Sequence, residues 1–215
     1  MVIFHIIFDL QYFDVIQINI NDLFWTIFRI SIFSLFFLLV GISLTLSYSK
    51  KRKFRYFLFR GIKIFLWGLM ITIASLLFLN EGFIYFGVLH FIGVSVVLGY
   101  PFIKLKNLNL IFALIILIAG VFLYGYYFDF PWLLWLGFKP DMFYSLDYFP
   151  ILPYFSIILF GIWLGNRFYK KHKRQFELKD RKIESIEYLG RHSLVIYLVH
   201  QPLIIMFISL FKHFF

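Results

Sequence analysis

Residues 108–128 read LNLIFALIILIAGVFLYGYYF, 21 residues without a single Lys, Arg, Asp, Glu or His. A helix rises about 1.5 Å per residue, so this run is long enough to cross the roughly 30 Å hydrocarbon layer of a bilayer. Five more apolar runs lie at 24–47, 57–79, 83–103, 149–168 and 192–210, and a shorter one occupies 1–13. The expected fold is all-α: a polytopic transmembrane helix bundle of about seven helices, the first one short or truncated, in a single membrane-embedded domain over residues 1–215. Composition excludes a soluble domain. Hydrophobic residues are 62% of the chain and charged residues 15%, against about 45–50% and about 25% in soluble domains. The chain has no cysteine, which removes disulfide and thiolate chemistry. The first run has neither a basic start nor a small-residue cleavage site, so no cleavable signal peptide is expected.

The net charge of +10 would suggest nucleic acid in a soluble protein, but here it is sorted by loop, and no nucleic-acid partner is expected. Of the 21 Lys and Arg, 18 lie at 50–63, at 104–106 and at 167–191, in segments that alternate to the same side. Seven of the 11 acids, Asp9, Asp14, Asp22, Glu81, Asp129, Asp141 and Asp147, fall on the other side. The positive-inside rule then puts the N-terminus in the cytoplasm and the C-terminus outside, in a multi-pass protein of the plasma membrane. The aromatic loop at 129–149 is expected along the outer surface or dipping inward. The basic stretch 170–182 is expected as a cytoplasmic loop touching anionic lipid.

An ionisable group inside a bilayer costs several kcal/mol and usually faces the bundle interior. His5, Arg29, His90 and His200 fall within the spans, with Asp9 and Asp147 at outer span edges. By depth they converge on the middle-to-outer half. His5 and Asp9 stand at i and i+4, on one helix face, a spacing that suits a general base held by an acid. Bland readings stand beside these. A buried histidine satisfied by a backbone carbonyl is structural, Arg29 can snorkel outward past its helix end, and His200-Gln201-Pro202 can be a proline kink. The histidines sit singly on different helices, so no metal site is expected. The residues alone give a polar pocket and no reaction.

Five segments together resemble the heparan-α-glucosaminide N-acetyltransferase catalytic family. They are VIFHIIFDLQYF (2–13), RISIFSLFFLLVGISL (29–44), FGVLHFIGVS (86–95), SLDYFPILPYFSIILFGIWLG (145–165) and LGRHSLVIYLVHQPLI (189–204). The resemblance implies a membrane acyltransferase that takes an acetyl or similar acyl group from cytoplasmic acetyl-CoA to an extracytoplasmic amino sugar or glycan. It implies that His5 is the catalytic residue. On physical grounds Asp9 is the candidate to orient that ring, Arg29 or His90 to steady a developing oxyanion, and His200 to line the pocket. Arg60, Lys63 and Arg167 are the candidates for the CoA phosphates, and Asp147 for an acceptor hydroxyl or ammonium. The family's first helix follows a segment with an Asp and an Arg-Gly pair and reaches its histidine through a Met. Met1 stands at that Met, which leaves two readings: part of a longer protein, or a defective first helix. Rival functions are a transporter or flippase of a glycan or lipid-linked substrate, and a non-catalytic membrane homologue; a homo-oligomer is left open.

Overall fold

The computed structural model describes residues 2–13, 15–19, 22–78, 82–169, 188–190 and 192–214, and of Tyr169, Ser209 and 211–214 the backbone only. The expected basic loop at 170–182, Arg191 and Glu81 lie outside the described residues. Among the described residues there is no β-strand, and seven α-helices have eleven residues or more. They are α1 (Val2–Tyr12), α2 (Leu23–Ser49), α3 (Phe54–Phe78), α4 (Val88–Phe102), α5 (Leu108–Tyr124), α6 (Ile151–Leu164) and α7 (Ser193–Phe214). Among the described residues, four segments are long and apolar enough to cross a membrane: Leu23–Ser49, Phe54–Phe78, Val88–Leu105 and Ile151–Phe168. The protein is a helical membrane protein, as its composition demands. The 11-residue α1 would extend only about 16 Å.

The chain divides into two compact units, Ser34–Lys173 and a second made of Met1–Phe33 with Arg174–Phe215. In Ser34–Lys173, α3 packs on α4 and α5 on α6, with α4 also against α6. Apolar side chains gain little from leaving lipid for a helix interface, so association rests on close packing, which small residues permit. Gly41 of α2 and Gly161 of α6 meet in this way: a Cβ on Gly41 would strike the Ile158 carbonyl, and one on Gly161 the Leu38 carbonyl. Gly61 and Gly93 do the same between α3 and α4, where a Cβ on Gly93 would lie 2.8 Å from the Phe65 nitrogen. Around the α2–α4–α6 contact, the buried Phe37 ring meets Phe91 at 4.6 Å and Phe149 at 5.4 Å.

Two spans are shorter as helices than their apolar runs. The run 83–103 becomes helical only at Val88. Before it, the backbone from Gly82 is non-helical and tied to the 145–149 segment: Leu146 N–H donates to the Gly82 carbonyl at 3.0 Å and Phe149 N–H to the Phe86 carbonyl at 2.9 Å. The run 108–128 leaves the helix after Tyr124, at Gly125. The aromatic 129–149 loop folds back on the start of α6 and the end of α5. Ile151 and Leu152 donate to the carbonyls of Trp135 and Leu136 at 2.9 and 3.0 Å, and the Tyr148 hydroxyl donates to Leu134 at 2.7 Å. Lys139 sits over the Tyr124 ring at 4.6 Å, a cation–π contact that holds the loop to the end of α5.

In the other unit, α1 packs on α7. Pro202 lies inside α7 and cannot donate to the Leu198 carbonyl one turn earlier.

Candidate active site

The α1–α7 contact carries four polar side chains. His5 and Asp9 come from consecutive turns of α1, and His200 and Gln201 are neighbours on α7. The His5 and His200 rings meet edge to face, with centroids 4.9 Å apart. Asp9 is only 3% exposed, and the Gln201 side-chain nitrogen donates to both of its carboxylate oxygens at 2.9 Å. The carboxylate one turn above His5 is therefore held from α7. The His200 Nδ1 lies 2.7 Å from the Tyr197 carbonyl and 3.1 Å from that of Ile196. A carbonyl can only accept, so Nδ1 carries the hydrogen and Nε2 keeps its lone pair. That Nε2 is buried and has no hydrogen-bond partner in the structure, and the Gln201 Oε1 is in the same position. Two acceptors without a donor, beside two imidazoles and a carboxylate, make a site equipped to receive N–H or O–H groups and to take a proton.

His90 is built differently. It is 2% exposed and sits in the first turn of α4. Gly87 N–H donates to its Nδ1 at 3.3 Å, which fixes the hydrogen on Nε2. Nε2 faces the Thr72 hydroxyl at 3.5 Å, and that hydroxyl passes its own hydrogen to the Ile84 carbonyl at 2.7 Å. Phe65 closes on the ring edge to face at 5.1 Å. A Cβ on Gly68 would stand 3.0 Å from the ring, so the imidazole fills the groove that Gly68 leaves.

Asp147, from the loop, closes the same helix start. Its Oδ2 accepts from Val88 N–H at 3.0 Å, satisfying one of the four free donors of the first turn of α4 with a negative charge at the positive end of the dipole. Removal from water pushes the Asp147 carboxyl up to about 6 from its ordinary 3.8, with the Val88 N–H pulling the other way. Ser145 adds hydrogen bonds to the Phe83 and Asp147 carbonyls at 3.0 and 3.1 Å.

Of the cations, Arg60 on α3 turns toward α2, with long contacts to Ser47 at 3.4 Å and Ser43 at 3.3 Å. Lys63 and Arg167 are exposed. Arg29 is also exposed, on the first part of α2.

The model of the family described as heparan-alpha-glucosaminide N-acetyltransferase, catalytic, matches residues 1–202. The chain belongs to that family. No curated protein and no solved structure matches the chain. The match runs through Gln201 and ends at Pro202, so it covers α1, the first part of α7 with His200 and Gln201, and all of Ser34–Lys173. Family membership makes this a membrane protein of the acetyltransferase type, with acetyl-CoA as the donor that the family implies.

The sequence pairs His5 with Asp9 on one helix face and offers His200 separately, and the structure brings the three to the α1–α7 contact. Gln201 is not among the residues the sequence singles out, where it stands only within a proline kink. The available signal was its position: a side-chain amide next to an intramembrane histidine, where a polar side chain needs a partner. Nor does the sequence single out Thr72 and Ser75, whose hydroxyls hold the 84 segment; Ile84 N–H donates to Ser75 at 3.0 Å.

Proposed function

We propose that the chain transfers an acetyl or similar acyl group from acetyl-CoA to an amine or hydroxyl of an amino sugar or glycan. Donor binding is assigned to the cytoplasmic face and the acceptor to the far side of the plasma membrane. The observation that carries this reading is the His5–His200 pair with Asp9 beside it and two buried acceptors left without donors. An incoming amine supplies the missing N–H groups. As its nitrogen attacks the thioester carbonyl, it must lose a proton, and a neutral imidazole takes it; His5 is the assigned base. The C–S bond then breaks, and the CoA thiolate leaves with the proton that the imidazolium returns. The negative Asp9 favours that imidazolium while it exists.

The phosphates of CoA call for cations, and Arg60, Lys63 and Arg167 remain the candidates. Arg29 keeps its place as a candidate for the oxyanion, and Asp147 is read first as the cap of α4. The basic-loop distribution supports the orientation, because three separate segments agree.

The test is direct. The full chain, reconstituted in liposomes with labelled acetyl-CoA, should label glucosamine or a glucosamine-bearing glycan, and His5→Ala should abolish the labelling. Transfer by His5→Ala at the wild-type rate would remove His5 as the base. A wild-type chain that transports glucosamine and leaves it unlabelled would mark a permease.

A further inference from the structure

We infer that Gln201 is a positioning residue, whose carboxamide pins the Asp9 carboxylate beside the His5–His200 ring pair. The inference rests on the acyl-transfer reading and adds to it a group that neither composition nor family membership assigns.

The geometry is specific. One nitrogen reaches both Asp9 oxygens at 2.9 Å, across 192 positions of sequence. A carboxylate that is 3% exposed in a membrane-embedded unit is costly unless hydrogen-bonded, so a donor at this point decides whether Asp9 stays where it is. Because a carboxylate only accepts, the amide must present its nitrogen to Asp9, and its oxygen is turned away from the carboxylate by necessity. That oxygen is buried and unmatched, as is Nε2 of His200 on the preceding residue. Ser95, Asn109 and Gln11 also carry buried polar atoms without a partner, so these two orphans count through their place beside the His5–His200 rings and Asp9. Adjacent residues of α7 thus serve two turns of α1: His200 meets His5, and Gln201 holds Asp9. The chemical consequence concerns where the charge sits. With Asp9 pinned, the negative charge stays one turn from His5, on the helix that carries the base. Released, the carboxylate can turn to other donors or take up a proton, and His5 loses that support.

Three variants of the full chain in liposomes test this: Gln201→Met, Asp9→Asn, and the double exchange Asp9→Asn/Gln201→Glu. Gln201→Met keeps the length and removes the donor. It should lower kcat for acetyl transfer to glucosamine by about 10- to 100-fold, the range of one charge-assisted hydrogen bond, with KM for acetyl-CoA within about threefold. The double exchange restores an amide-to-carboxylate bond between the two helices with the charge moved to α7. It should recover the melting temperature that the single changes lower, yet leave transfer about tenfold or more below wild type. Full recovery of transfer by the double exchange would overturn positioning and leave helix docking alone. Gln201→Met with wild-type kcat would overturn it as well. If the wild-type chain transfers no acyl group, the acyl-transfer reading fails. Positioning then falls with it, and a fourth variant, Asp9→Asn/Gln201→Met, tells by melting temperature whether the Asp9–Gln201 bond docks the two helices (coupled effects) or not (additive effects).

Discussion

Each unit buries a histidine close to a carboxylate, and the two arrangements differ in what they leave unsatisfied. In Ser34–Lys173, His90 receives a hydrogen bond on one nitrogen and faces Thr72 with the other, while Asp147 holds the Val88 N–H. Their neighbours are backbone groups of one helix start. In the unit containing α1 and α7, His200 Nε2 and Gln201 Oε1 end without a donor, and two imidazoles touch. A buried polar atom left open costs free energy, and although Ser95 and Asn109 are left open elsewhere in Ser34–Lys173, only the α1–α7 cluster sets such atoms against two imidazoles and a carboxylate among the described residues. The saturated pair reads as architecture, and the open cluster as the place where a substrate completes the bonding.

The largest expected effects break this comparison outright if they fall the wrong way. His5→Ala should lower acetyl transfer about 10²- to 10⁴-fold, the usual contribution of a general base, with the melting temperature close to wild type. His90→Ala should do the reverse. It removes a filled ring from the Gly68 groove and strands the Gly87 N–H, a loss of about 2–4 kcal/mol. Thermal unfolding in detergent, beside transfer per folded molecule, checks both. An inactive His90→Ala protein with a normal melting temperature would place His90 in the chemistry and undo the distinction.

A smaller effect sharpens it. Gly87 lies between His90 and Asp147, and a Cβ there would drive into Asp147 Oδ2, whereas a Cβ on Gly125 meets nothing within 4 Å. Gly87→Ala should therefore cost about 1–3 kcal/mol by overpacking a saturated cap. Gly125, at φ −85°, already holds a backbone that alanine adopts, so Gly125→Ala should be neutral or stabilise by up to about 1 kcal/mol. Melting temperatures of the two variants read the difference. Equal shifts would mean that the Asp147–Gly87 contact is soft.

The helices themselves were legible, because lipid asks for length and apolarity and both can be read along the chain. Run 57–79 became α3 (Phe54–Phe78) with little change, and the first run was short in sequence and is short as α1. The start of α4 was not legible. Residues 83–87 are as apolar as the helix that follows, but the donor-rich first turn is capped by Asp147, 59 positions away, and no local pattern announces such a partner. The site divides along the same line. His5 and Asp9 share a face by helical spacing alone, so their alignment was visible, and the expected partner of Asp9 was His5. Its partner in the structure is Gln201, because a side-chain amide from another helix reaches both oxygens. Intramembrane histidines announce themselves singly, whereas pairing depends on which helices touch.

The finest test uses the proton that Asp147 holds. Burial raises its carboxyl to about 6, above its ordinary 3.8, so the folded state binds this proton more tightly than the unfolded chain does. For such a group the folded form is most favoured at low pH, and that advantage fades as pH rises from about 4 to about 6, then levels off. Asp147→Asn keeps an oxygen for the Val88 N–H and has nothing to titrate. Its melting temperature should lose the wild-type decline across that interval, and above pH 6 it should match or exceed wild type. Asp147→Ala removes the cap itself and should cost about 1 kcal/mol at neutral pH. An Asp147→Asn protein that still declines between pH 4 and 6 as wild type does would assign that titration to another group. The effect is limited because a single carboxyl titrates and the Val88 N–H offsets part of what burial costs its charge.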